Sequence, residues 1–282
     1  MFFKILDFKL MNKNIKLVYS MIKEYVCDKG KRSSIVIEDL KTDINEGATM
    51  ILGFAGIGLI GPIISNQLIE QIPDIKEIGF LTSEYLPPIA VFYQGVLRHP
   101  FRFFYTPQHN IIVGICEVPF QVSTAYNDLA KTICNWALSQ DVRAKEVVIF
   151  QGIPQKGIID DYPVYYAAEK NMMDKLATLE LEQVEKGIIV GPEATVLNEA
   201  LTNRLNAYAL FTPVLEIPTP EGAAAIIEVL NKMYGLSIET KSLIEEGKEI
   251  KAKMLELAQK AQEYQRQQLP SKSGEGYTQY FQ

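Results

Sequence analysis

Hydrophobic and polar positions divide this chain into short apolar runs and longer amphipathic stretches. The run Thr49-Met-Ile-Leu52, bounded by Gly47 and Gly53, is continuous, the pattern of a strand buried on both faces. Ser33-Ser-Ile-Val-Ile-Glu38 and residues 77–81 are further strand candidates. Three runs at 89–93, 101–105 and 111–116 follow, joined by short connections that carry Gly95, Pro100, Pro107 and Asn110. Such connections predict antiparallel pairing, because a parallel crossover needs a dozen or more residues. Helical spacing predicts helices over 62–72, 124–139, 193–203 and 220–234, with Thr219 placed to cap the last and a shorter helix at 171–178. Strands are predicted at 146–150, 163–168, 187–191 and 207–211, the Gly187–Gly191 run as a buried one. Strands alternating with helices around one antiparallel meander predict an α/β domain with a mixed central sheet flanked by helices.

Beyond Gly235 the period changes. Leu243, Gly247, Ile250, Met254, Leu257, Ala261 and Tyr264 alternate spacings of four and three, a heptad seam. Gly247 and Ala261 weaken a true coiled coil, so the seam suits a C-terminal amphipathic helix lying back on its own domain, or a modest contact between subunits. Pro270 stops that helix, and the polar segment after it is too poor in apolar residues to build a core. The chain therefore divides into an N-terminal extension (1–33), an α/β domain (34–236), an amphipathic helix (237–268) and a flexible tail (269–282). The tail ends in Tyr280-Phe281-Gln282, two rings beside a free carboxylate with nothing of their own to bury against. A folded partner can cover such rings and capture the carboxylate; the other reading is a frayed end without a role.

Charge and composition then narrow the classes. A net charge of -6 speaks against a general nucleic-acid surface. No stretch reaches the roughly 18 apolar residues of a membrane-spanning helix. The basic first thirty residues, interrupted by Lys4, Lys9, Lys13, Lys16 and Lys23, lack the pattern of a secretory signal. Cys27, Cys116 and Cys134 are too far apart for a disulfide framework or a metal cluster, which points to the cytoplasm. His99 and His109 sit beside turns, and Asp160-Asp161 reads as a solvated turn. No catalytic constellation and no metal site is expected.

One motif keeps an enzyme in play. Gly56-Ile-Gly58-Leu-Ile-Gly61 is a literal G-x-G-x-x-G between a strand and a helix, and Glu84 lies near the end of the next strand, where a ribose ligand belongs. This reading makes the chain a nucleotide-dependent enzyme. Against it, Pro87-Pro88 and the meander stand where a helical crossover should follow. In the alternative, the glycines permit a tight turn and close packing of helix on sheet.

Three segments in order resemble the proteasome assembly chaperone family in its archaeal-type branch: Gly53-Phe-Ala-Gly-Ile-Gly-Leu-Ile-Gly61, the glycine-marked Gly187-Ile-Ile-Val-Gly191 before a helix, and Pro218-Thr-Pro-Glu-Gly-Ala-Ala-Ala225 opening the helix that runs towards Leu236. The resemblance spans about residues 34–243 and leaves 1–33 aside. It implies a non-enzymatic, phosphorylase-like α/β fold without cofactor, forming a homo-oligomer or pairing with a sister chaperone subunit. It further implies a cytoplasmic assembly chaperone or ATP-independent proteasome activator that binds core proteasome α-subunits, with neither nucleic acid nor membrane as partner. Members that bind the α-ring use a C-terminal hydrophobic-tyrosine-any tripeptide, whose carboxylate meets a lysine between neighbouring subunits. Tyr280 takes the hydrophobic place, Phe281 the tyrosine place and Gln282 the last. Phe281 departs from the pattern by lacking the hydroxyl, a loss of about 0.5–1.5 kcal/mol per tail that several tails on one oligomer can offset.

Overall fold

The computed structural model describes residues 23–26, 32–39, 41–120, 122–157 and 159–268. Most of the N-terminal extension and the whole tail, with Tyr280, Phe281 and Gln282, lie outside the described residues. The strands are β1 (Lys23–Val26), β2 (Ser33–Ile37), β3 (Thr49–Phe54), β4 (Lys76–Ser83), β5 (Val91–Tyr93), β6 (Val96–Arg98), β7 (Phe101–Thr106), β8 (Ile111–Cys116), β9 (Glu146–Pro154), β10 (Tyr165–Ala168), β11 (Glu182–Gln183) and β12 (Asn206–Val214). The helices are α1 (Ile60–Gln71), α2 (Ser123–Leu138), α3 (Met173–Ala177), α4 (Pro192–Thr202), α5 (Pro220–Tyr234) and α6 (Lys241–Gln268).

Among the described residues, ten strands form one mixed sheet in the order β1-β2-β4-β7-β8-β3-β9-β12-β10-β11. The centre, β8-β3-β9-β12, is parallel; β4, β7 and β8 pair antiparallel as a meander. The unbroken apolar runs of the central strands follow from this position, since a strand covered on both faces needs no polar side. Met50, Leu52 and Phe54 of β3 face the layer made by α2 and α4, with Leu129, Ile133 and Trp136. Ile51 faces the opposite layer, where α1 and α5 supply Ile64, Leu68, Ile227 and Leu230. Each such side chain, fully buried, stabilises the fold by about 1.5–3 kcal/mol before entropy is counted. The expected mixed α/β sheet flanked by helices is therefore what the chain forms.

Three local expectations are corrected. The strand expected at 89–93 leaves the main sheet. It forms a separate hairpin, β5 with β6, closed by Gln94 and Gly95, both with positive φ (50° and 79°). Phe92 and Leu97 of this hairpin are exposed. The Gly187–Gly191 run is not a buried strand but a surface loop, with Ile188 92% and Val190 77% exposed. Thr219 does not cap α5: its hydroxyl accepts the Leu215 N–H (3.1 Å) and donates to the Ile217 carbonyl (3.0 Å), tying the loop ahead of the helix instead.

The start of α6 lies against α5. Leu243 is buried, and Gly247 meets Glu221 so closely that a Cβ there would fall 1.9 Å from the Glu221 Cδ. Lys251 reaches back to Glu221 at 3.5 Å, to the Ile159 carbonyl and over the Tyr162 ring at 5.0 Å. For the seam positions Met254, Leu257, Ala261 and Tyr264 only the backbone is described. The connector before α6 is held by two side-chain amides. Gln71 accepts the Glu239 N–H (2.7 Å) and donates to its carbonyl (3.0 Å), while Asn231 accepts the Ile238 N–H (3.0 Å) and donates to its carbonyl (2.9 Å).

Candidate functional site

Because β3, β8 and β9 run parallel, their carboxyl ends finish on one side of the sheet. In open α/β sheets that edge is where ligand crevices form. Here the glycine turn after β3 makes one wall of a crevice of about 290 Å³, and the loop entering α4 makes another.

The glycines of the turn divide by role. A Cβ on Gly53 would stand 2.3 Å from the Gly61 carbonyl oxygen, so α1 lies directly on β3 only because both positions lack side chains. Gly58 has φ +74°, and a Cβ there would meet the Val214 Cβ at 2.7 Å. Gly56 differs. Its backbone is extended, it is exposed, and the one neighbour a Cβ would meet is the Glu193 Oε1 at 3.4 Å. The dinucleotide arrangement is missing around this turn. The strand after α1 is β4, which stands three places from β3 and pairs with β2 and β7. Glu84 ends there beside Arg32 (3.9 Å), away from the crevice, so it cannot serve as the ribose ligand of that turn.

Glu193 is the residue that sequence reasoning missed. It follows Gly191 and Pro192 in the first turn of α4, where a carboxylate complements the helix dipole. That placement looks in sequence like an ordinary solvated first-turn acid; instead Glu193 is 4% exposed and lines the crevice. Burial pushes its carboxyl up to about 7, against the pull of its own backbone N–H. The Gln151 Oε1 is buried beside it without a hydrogen-bond partner among the described residues, while Nε2 donates to the Gly152 carbonyl at 3.4 Å.

Phe54, Phe120 and Tyr126 bring aromatic rings to the walls, the last two in an edge-on pair at 6.3 Å. The Tyr126 hydroxyl donates to the Phe120 carbonyl (3.2 Å). Cys116 ends β8 nearby; its thiol donates to the Val118 carbonyl (3.3 Å), and burial, with Glu193 and Glu117 adding to it, pushes it up to about 12. It is no nucleophile at neutral pH. No Lys, Arg or His is among the described residues that line the crevice. A phosphate would thus meet no cation there, and an ionised Glu193 would repel it.

The remaining candidates stand elsewhere. Asp160 and Asp161 are exposed, and Asp161 accepts the Tyr162 N–H (2.9 Å). His99 stacks flat on Phe80 at 3.5 Å. Cys134 is buried and Cys27 lies outside the described residues. Glu146, buried at the start of β9, is held by Lys175 (2.6 Å), Thr49 (3.1 Å) and Tyr234 (3.1 Å) at the opposite end of the sheet. Among the described residues no group of His, Cys, Asp and Glu could hold a metal ion, and no helix is long and apolar enough to cross a membrane.

Comparison with known proteins places these features. The model of the PAC2 family matches residues 50–258. An uncharacterised protein of Methanocaldococcus jannaschii is 26% identical over 243 residues, 83% of this chain and 93% of its own. Among solved structures, Pyrococcus furiosus PbaA, an archaeal homolog of proteasome-assembly chaperone, aligns with a TM-score of 0.71 and 28% identity over 84% of this chain and 96% of its own. Pyrococcus furiosus PbaB, an archaeal proteasome activator, shares the fold with a TM-score of 0.71 at 19% identity, over 81% of this chain and all (100%) of its own.

Proposed function

This chain belongs to the PAC2 family, and from that membership we propose that it serves the proteasome as a non-enzymatic assembly chaperone or ATP-independent activator in the cytoplasm. The observation that carries the reading is the likeness to PbaA across 84% of the chain.

In this reading the contact with the α-ring is made by Tyr280, Phe281 and Gln282, the rings entering a groove between neighbouring α-subunits and the carboxylate meeting a cation there. The root of the tail is α6, whose first turns rest on α5. At 1.5 Å per residue this helix of 28 residues is on the order of 40 Å long. A homo-oligomer, or a pair with a sister subunit, presents several tails at once and multiplies a weak contact.

The test is retention of purified core proteasome by the full chain and by a chain ending at Gln279. Retention by the full chain alone is expected. Equal retention by both sinks the tail mechanism, and retention by neither sinks the proteasome reading.

A further inference from the structure

We propose that the crevice bounded by Gly56, Phe120, Gln151 and Glu193 binds a small organic ammonium ion, a function separate from any contact with the proteasome.

The first argument is hydrogen-bond supply. Glu193 is 4% exposed and no cation stands among the described residues lining the crevice. The Gln151 Oε1 is a second acceptor, buried and unpartnered among the described residues, and its Nε2 is already committed to the Gly152 carbonyl. The Tyr126 hydroxyl is committed to the Phe120 carbonyl and the Cys116 thiol to the Val118 carbonyl. The crevice thus holds side-chain acceptors in want of donors. An ammonium group carries three donors and no acceptor, and a buried carboxylate whose one hydrogen bond comes from its own backbone N–H is costly to ionise without a cation beside it.

The second argument is shape. The carboxylate lies between two glycines: a Cβ would come within 2.8 Å of Oε2 at Gly191 and 3.4 Å of Oε1 at Gly56. Backbone alone borders the acid on these two sides: Oε2 is packed close against Gly191, while at the exposed Gly56 the spacing is an ordinary van der Waals contact. The walls beyond it include Phe54, Phe120 and Tyr126, and an aromatic ring attracts a cation held over its face. At about 290 Å³ the crevice sits at the small end of ligand pockets, about 300–1,000 Å³. That is the scale of a compact amine with an apolar body.

The titratable groups near Glu193 are the Tyr126 phenol, which lines the crevice with it, and the Cys116 thiol, whose pKa Glu193 and Glu117 both raise; Glu117 is itself paired with Arg102 at 2.8 Å, and neither of that pair lines the crevice. With its carboxyl near 7, Glu193 must release a proton to pair with the cation, so affinity rises with pH by about tenfold from pH 6 to pH 8.

The probe is phenethylamine, with 2-phenylethanol as its neutral analogue, titrated calorimetrically into the full chain at both pH values. The amine binds at least tenfold more tightly than the alcohol, Glu193→Gln removes that preference, and Gly56→Leu abolishes binding by filling the crevice while leaving the acid in place. Gly56 has an extended backbone (φ −123°) that any residue adopts, so this second variant keeps the parent's fold and tests the crevice independently of the acid. Equal binding of amine and alcohol, an amine affinity unchanged in both variants, or no heat at millimolar amine overturns the proposal.

Discussion

Gly53 and Gly61 face each other across the junction of β3 and α1 with no space for a side chain, the Gly61 carbonyl oxygen standing 2.3 Å from where a Gly53 Cβ would be. A Cβ on Gly61 would in turn come 2.6 Å from the Phe54 nitrogen. Both obstacles are backbone, which cannot swing aside. Gly53→Ala and Gly61→Ala are therefore expected to destabilise by about 1–3 kcal/mol or more, while Gly56→Ala stays within about 0.5 kcal/mol. Denaturant midpoints of the three variants check this ordering. Equal effects would show that the glycine spacing is not set by packing.

Glu193 predicts a pH dependence. Its carboxyl rises from an ordinary 4.5 to about 7 on folding, so between those values the folded chain holds a proton that the unfolded chain has released. Stability then falls as pH increases through that window, by at most on the order of 3 kcal/mol. Glu193→Gln removes the decline and is more stable than the parent above pH 7. Urea midpoints measured across the window decide it: parallel curves for parent and variant would refute the assignment.

Gly247 predicts a reversed substitution effect. In a helix interior Gly→Ala ordinarily stabilises by about 0.8–1.0 kcal/mol. Here the new methyl would displace Glu221 and with it the contact to Lys251. Gly247→Ala alone is expected to bring no gain, whereas the same change made on a Glu221→Ala background recovers the usual one. A double-mutant cycle by thermal unfolding reads the coupling; additivity would mean that α6 does not press on α5 at this point.

Phe281→Tyr predicts tighter docking. Restoring the hydroxyl adds one hydrogen bond in the α-ring groove, about 0.5–1.5 kcal/mol, or roughly a two- to tenfold gain in affinity for core proteasome in surface plasmon resonance. An affinity that does not change removes the tyrosine place from the tail mechanism.

What the sequence made legible follows from burial geometry. Strands β3, β8 and β9 are covered on both faces, so their apolar runs stand out without help from distant residues. Ile188 and Val190 show the limit of that signal. A glycine-bounded apolar run has the same letters whether it enters a core or, as here, crosses the surface. The β5–β6 hairpin escaped because Gln94, rather than Asn or Gly, takes the first left-handed position of its turn. Glu193 escaped for another reason. Its burial is created by the ends of β3 and β8, which are remote in sequence, and nothing local distinguishes it from a solvent-facing acid at a helix start.

The amide clamps of Gln71 and Asn231 on the connector before α6 bear on any assembly this chain enters. Four hydrogen bonds hold Ile238 and Glu239 to α1 and α5, so the direction in which the long helix departs is built into the body. In a ring or cluster of such chains, the spacing between one helix root and the next becomes a property of how the bodies meet. A partner with regularly placed grooves is then matched by symmetry and distance, in the manner of a comb set against its teeth.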